Sequence, residues 1–68
     1  MIELWINGTP RVVGATDIRG LLVELGEDPA GRGIAVARNG EVVPRGDWER
    51  STLVAGDRID VVGAVQGG

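Results

Sequence analysis

Two Asn-Gly dipeptides, Asn7-Gly8 and Asn39-Gly40, each lie between short runs of strand-forming residues, and they constrain the fold more than any other feature. Asn followed by Gly tolerates positive φ at both central positions of a type I′ turn, whose twist matches two antiparallel strands. Before the first turn, Ile2, Leu4 and Ile6 alternate with Glu3, Trp5 and Asn7. That is the period-two pattern of a strand with one buried face. Arg11-Val12-Val13 runs back as its partner, and Pro10, which has no N–H to donate, suits a sheet edge. Around the second turn, Ile34-Ala35-Val36-Ala37-Arg38 reads as a strand and Glu41-Val42-Val43 as a short return ended by Pro44.

Between the two hairpins, Ile18, Leu21, Leu22 and Leu25 fall at i, i+3, i+4 and i+7, one apolar stripe of a helix. Thr16 is expected to cap its start, with Asp17 placing negative charge in the first turn. Gly20 weakens the helix by up to about 1 kcal/mol, which the stripe outweighs. Gly26 suits the left-handed position after the last turn, and Pro29 blocks continuation. The spacing predicts a helix from Asp17 to Leu25.

Arg45 and Gly46 begin an irregular segment through Trp48, which is expected to plug one edge of the core together with Leu53. Ala55-Gly56-Asp57 is a further turn, and Arg58–Val62 is the last strand, with Ile59 and Val61 inward. The order is hairpin, helix, strand, short strand, strand. It predicts an α+β roll, a mixed sheet of four to five strands with one main helix on one face. The first and last strands can pair in parallel through a right-handed crossover, which is the β-grasp, ubiquitin-like arrangement. Residues 1–63 are expected to form this domain and 64–68 a flexible tail.

The residues that are missing limit the chemistry. The chain has 68 residues with no Cys and no His, so it has neither a disulfide nor a usual zinc site to support a small core. All seven basic residues are Arg, so no Lys or His can activate the hydroxyls of Thr9, Thr16, Ser51 or Thr52. Asp57 and Asp60 are expected as solvated turn and strand residues rather than an acid–base pair. A self-contained enzyme is not expected. The net charge of −3, with arginines interleaved among acids, argues against nucleic acid. The Gly31–Gly33 loop has neither the spacing nor the Lys of a phosphate loop. No leader or membrane-spanning segment is visible, and a cytoplasmic location without membrane association is expected.

The stretch Val36-Ala37-Arg38-Asn39-Gly40-Glu41-Val42-Val43-Pro44-Arg45, then Trp48, then Gly56-Asp57-Arg58-Ile59 leading to Ala64-Val65-Gln66-Gly67-Gly68, resembles the ThiS family of thiamine-biosynthesis sulfur carriers. The resemblance covers nearly the whole chain. Its hairpin-turn-Trp segment is the more specific part, since other ubiquitin-like carriers share the terminal Gly-Gly. It implies a β-grasp carrier that binds no cofactor of its own. An E1-like, ThiF-type adenylyltransferase uses ATP to activate the terminal carboxylate, and a sulfur donor enzyme contributes to forming a thiocarboxylate. A ThiG-type thiazole synthase then takes the sulfur into the thiazole ring. The reactive carboxylate maps to Gly68, with Gly67 as its companion. The residues alone leave other roles open: a sulfur carrier for molybdopterin or cysteine biosynthesis, or a ubiquitin-like modifier or interaction module.

The physics of such a tail fits glycine. Without Cβ, Gly67 and Gly68 can pass a narrow channel. Residues 63–68, if extended, reach about 20 Å. Ordering them costs about 1–2 kcal/mol each in backbone entropy, so binding energy has to come from the body as well. Trp5 points opposite to Ile2, Leu4 and Ile6 and is expected as the docking anchor, the alternative being that neighbouring side chains cover it. Val62, Val65 and Gln66 are expected to extend the same partner-binding patch.

Overall fold

The computed structural model describes residues 1–28 and 30–63. Strand β1 (Ile2–Ile6) turns through Asn7 and Gly8, at φ 51° and 84°, into β2 (Thr9–Val13). Helix α1 (Ile18–Glu24) follows, then β3 (Ile34–Arg38) and the two-residue β4 (Glu41–Val42). Asn39 and Gly40 repeat the first turn at φ 52° and 86°. Both Asn-Gly pairs therefore form type I′ turns. A 3₁₀ helix (Arg45–Arg50) leads to the last strand, β5 (Arg58–Gly63). The five strands form one sheet in the order β2-β1-β5-β3-β4, with β1 and β5 parallel and the other pairs antiparallel. This is the β-grasp roll.

The core draws on the inward residues of β1, β2, β3, β5 and the helix. Leu4, Ile6, Val13, Val36 and Ile59 project from the sheet onto Ile18, Leu21 and Leu22 of the helix. Ile2 and Val61 pack against the margin of this cluster. Trp48 and Leu53 close one edge. Trp48 is 3% exposed, and its indole N–H donates to the Val43 carbonyl at 2.9 Å. The apolar ring is thus buried without leaving its N–H unpaired. Gly31, at φ 76°, lies against the ring, and a Cβ there would overlap it.

The helix ends differ in how closely they match the pattern. The cap is Asp17, not Thr16: the Asp17 carboxylate accepts the Gly20 N–H at 2.7 Å. The Thr16 carbonyl instead accepts the Leu53 N–H, and Asp17 bridges Thr52, so the residue before the cap is committed to another strand of chain. Gly20 also has a reason to be small, since a Cβ would press on the capping oxygen at 3.3 Å. At the other end, Gly26 donates to Val23 and Glu27 to Leu22, with Gly26 at φ 81°. That is a Schellman motif. Glu24 reaches back from the last turn to accept the N–H groups of Gly14 and Ala15, fastening the β2–α1 connection. The expected role of Pro29 lies outside the described residues.

Asp57 departs from expectation. It is buried, at 8% exposure, not a solvated turn residue. Its carboxylate accepts from Arg38 Nε at 3.1 Å, Asn39 Nδ2 at 3.1 Å and the Val54 N–H at 2.9 Å. A buried carboxylate with three donors is satisfied and costs the fold little, whereas removing a donor would leave a charge unpaired.

Candidate functional site

The last strand carries the described chain to one end of the sheet, and both Asn-Gly turns brace it. Asn39 receives the Arg58 N–H on its side-chain oxygen at 2.9 Å, and its own N–H donates to the Arg58 carbonyl at 2.7 Å. On the opposite side, the Asn7 N–H donates to Ile59, and the Asn7 side-chain oxygen accepts the Val61 N–H at 2.8 Å. β1 stops at Ile6, so this side chain supplies the acceptor that the next strand residue would have offered. From the β3 side, pairing continues as far as Ile34 opposite Gly63. The body thus holds β5 from both sides as far as Val61 and from the β3 side as far as Gly63.

The sequence alone does not mark the Asn side chains as braces. Their dipeptides announced turns, but an Asn in a type I′ turn also presents a short amide toward the neighbouring strand. A clearer signal existed for Asp57. Ile34, Val36 and Arg38 share a strand face by parity, so an arginine following two core residues requires a carboxylate nearby.

The sheet face opposite the helix is open. Trp5 is 45% exposed there, opposite Pro10 on β2 and Arg58 on β5. It lines a shallow 110 Å³ depression with Gly8, Arg58 and Asp60. Neighbouring side chains therefore do not cover it. Val62, 59% exposed, shares the face and lies opposite Ala35. It stands four residues along β5 from Arg58, about 13 Å at strand rise, with Asp60 between. Trp5 and Val62 are thus two apolar points separated by charge, not one continuous patch. Val65, Gln66, Gly67 and Gly68 lie outside the described residues.

The shifted titrations belong to surface pairs elsewhere. Asp28 is held below the usual carboxylate range by the Ala30 N–H and by Arg32, and Arg50 is raised by Asp47. Among the described residues, no helix is long and apolar enough to cross a membrane.

The family model described as the ThiS family matches residues 4–68. The crystal structure of a thiamine biosynthesis protein (ThiS) from Geobacter metallireducens superposes with a TM-score of 0.82 at 31% identity, covering 98% of this chain and all of that one. A solution structure of a thiamine biosynthesis protein from the same organism gives 0.80 at 28% identity, covering 98% and 88%. A protein named thiazole synthase, from Paramagnetospirillum magneticum, is 37% identical over 98% of this chain. The chain spans only 20% of that relative's length. With the whole β-grasp body and nearly the full length matched, the chain belongs to the ThiS family.

Proposed function

We propose that this protein is the sulfur carrier of thiazole formation in thiamine biosynthesis, and that the Gly68 carboxylate is the group that carries sulfur. It acts as a co-substrate of partner enzymes rather than as an enzyme. The observation that carries the reading is the family match, which runs to residue 68 and so includes Gly67 and Gly68. Further support comes from the relative named thiazole synthase, which contains a stretch similar to this chain within its own sequence. That association favours thiazole synthase over other sulfur acceptors.

The chemistry asks little of the carrier. A carboxylate is ionised at neutral pH and is a poor electrophile, since its leaving group would be oxide. Attack of its oxygen on the α-phosphorus of ATP releases pyrophosphate and forms an acyl-adenylate. Sulfur at the oxidation level of sulfide then displaces AMP and leaves a thiocarboxylate. A ThiF-type adenylyltransferase supplies the ATP site and the electrostatic stabilisation, and the carrier supplies an accessible terminus. Trp5, with Val62 as a second point, anchors the body on the partner while the tail enters the channel.

The test is to move the terminus. Removing Gly68, or adding one residue after it, should abolish pyrophosphate release in the presence of the activating enzyme and ATP while leaving the fold unchanged. Activation of the extended chain without prior cleavage would exclude the Gly68 carboxylate as the reacting group.

A further inference from the structure

A cleft opens beside the point where β5 ends, on the helix side of the sheet. It holds 350 Å³ between the β1–β2 turn and the end of α1. Ile6, Pro10, Leu25 and Val61 give it apolar walls, and Thr9 and Arg11 lie on the β2 side. The Asn7–Gly8 turn divides this cleft from the depression at Trp5, with Asn7 lining one and Gly8 the other. Among the described residues, neither Arg11 nor Glu27, the two charged groups lining the cleft, takes part in a salt bridge.

We propose that this cleft is a second docking point for the activating enzyme, filled by an apolar side chain from the mouth of its channel, with a neighbouring carboxylate paired to Arg11. The inference rests on the carrier reading and adds a surface to it. Reach is the first argument. Five residues follow Gly63, and fully extended they would span at most about 18 Å. The catalytic centre that receives Gly68 must therefore lie within that distance of Gly63. Val61, two residues earlier, lines the cleft. The channel mouth accordingly presses against this end of the body, and a partner that covers Trp5 reaches the cleft by crossing one two-residue turn.

Composition of the cleft is the second argument. The lining is mixed, with Ile6, Pro10, Leu25 and Val61 beside Asn7, Thr9, Arg11 and Glu27, and it favours an insert that joins an apolar side chain to a polar neighbour. An arginine that pairs with no acid among the described residues gains more from an incoming carboxylate than one already paired, and its planar fork suits that geometry. Fixing the body on both sides of the Asn7–Gly8 turn also sets the direction in which the tail leaves, which contact at Trp5 alone does not.

The experiment measures steady-state adenylation of the full chain by a ThiF-type enzyme as a function of carrier concentration. Thr9→Trp fills the cleft from an exposed position, and Arg11→Glu reverses its charge. Arg50→Glu makes the same charge change on the 3₁₀ helix, where Arg50 pairs with Asp47. Urea unfolding checks that each variant is folded. Both cleft variants should raise KM about tenfold, as loss of one good interface contact does, with kcat changed less than about twofold. Arg11→Lys, which keeps the charge without the fork, should restore part of the loss relative to Arg11→Glu, and Arg50→Glu should match the parent. Unchanged KM in both folded cleft variants would overturn the proposal while leaving the carrier reading intact, as would an equal rise in Arg50→Glu. Failure of the parent chain to be adenylated at all would overturn both.

Discussion

The two tryptophans occupy opposite faces of the sheet and have opposite fates. Trp48 is 3% exposed, its N–H is bonded, and Gly31 is kept bare to make room for it. Trp5 is 45% exposed on a strand whose alternate residues fill the core. The difference shows how a chain with only two aromatic residues divides them. In a domain of 68 residues without cross-links, one large ring is needed to complete the core. The other keeps 45% of its surface in water, and that part stays available to a partner.

The comparison breaks most readily at Trp48. Trp48→Ala should cost about 3–5 kcal/mol. A chain of this size has only about 3–10 kcal/mol in total, so the variant should lose a large share of its stability, read as a much lower urea midpoint at 25 °C. A folded Trp48→Ala with near-parental urea midpoint would mean that the ring is not a core component. Gly31→Ala tests the same packing from the other side. Positive φ and overlap with the indole together should cost about 2–3 kcal/mol, read as a lower thermal midpoint with the helix signal retained below it.

Trp5 should respond in affinity rather than stability. Trp5→Ala should weaken binding to the activating enzyme or to thiazole synthase by about 2 kcal/mol, close to thirtyfold in Kd. Calorimetric titration with each partner measures this, and affinity unchanged from the parent for both would remove Trp5 from the interface. The smallest expected effect is on the fold itself. The same substitution should lower unfolding stability by about 1 kcal/mol or less, the scale of a cross-strand aromatic contact. A larger loss would mean that the open face is held together by Trp5 and that the contrast between the two rings is one of degree.

Much of this was legible in the chain because its signals were local. Both Asn-Gly turns, the helix stripe and Gly26 depend on residues within a few positions of one another, and all occur where the pattern places them. Trp48 was readable as a plug because an irregular segment between strands has to cover something. The misreadings involve partners distant in sequence. Thr16 looked like a cap until its carbonyl was committed to Leu53, 37 positions away. Asp57 looked solvated because Arg38 and Asn39, which receive it, come from another hairpin. At the candidate site, the exposure of Trp5 followed from parity alone. The spacing that separates Trp5 from Val62 did not, since it depends on the β1–β5 register, which periodicity leaves undetermined. The cleft beside Val61 was equally invisible, being formed where three elements end together.

The central claim concerns Gly68, and intact mass spectrometry tests it most directly. The chain is incubated with a ThiF-type enzyme, ATP and a sulfur source, then treated with a thiol-directed alkylating reagent, with a Gly68-deleted chain as control. Alkylation distinguishes sulfur-for-oxygen exchange from oxidation of Met1, Trp5 or Trp48, which changes the mass almost equally. The account predicts one alkylated species in the parent chain and none in the control. An unalkylated parent, in the presence of an enzyme shown to be active on another carrier, would contradict it.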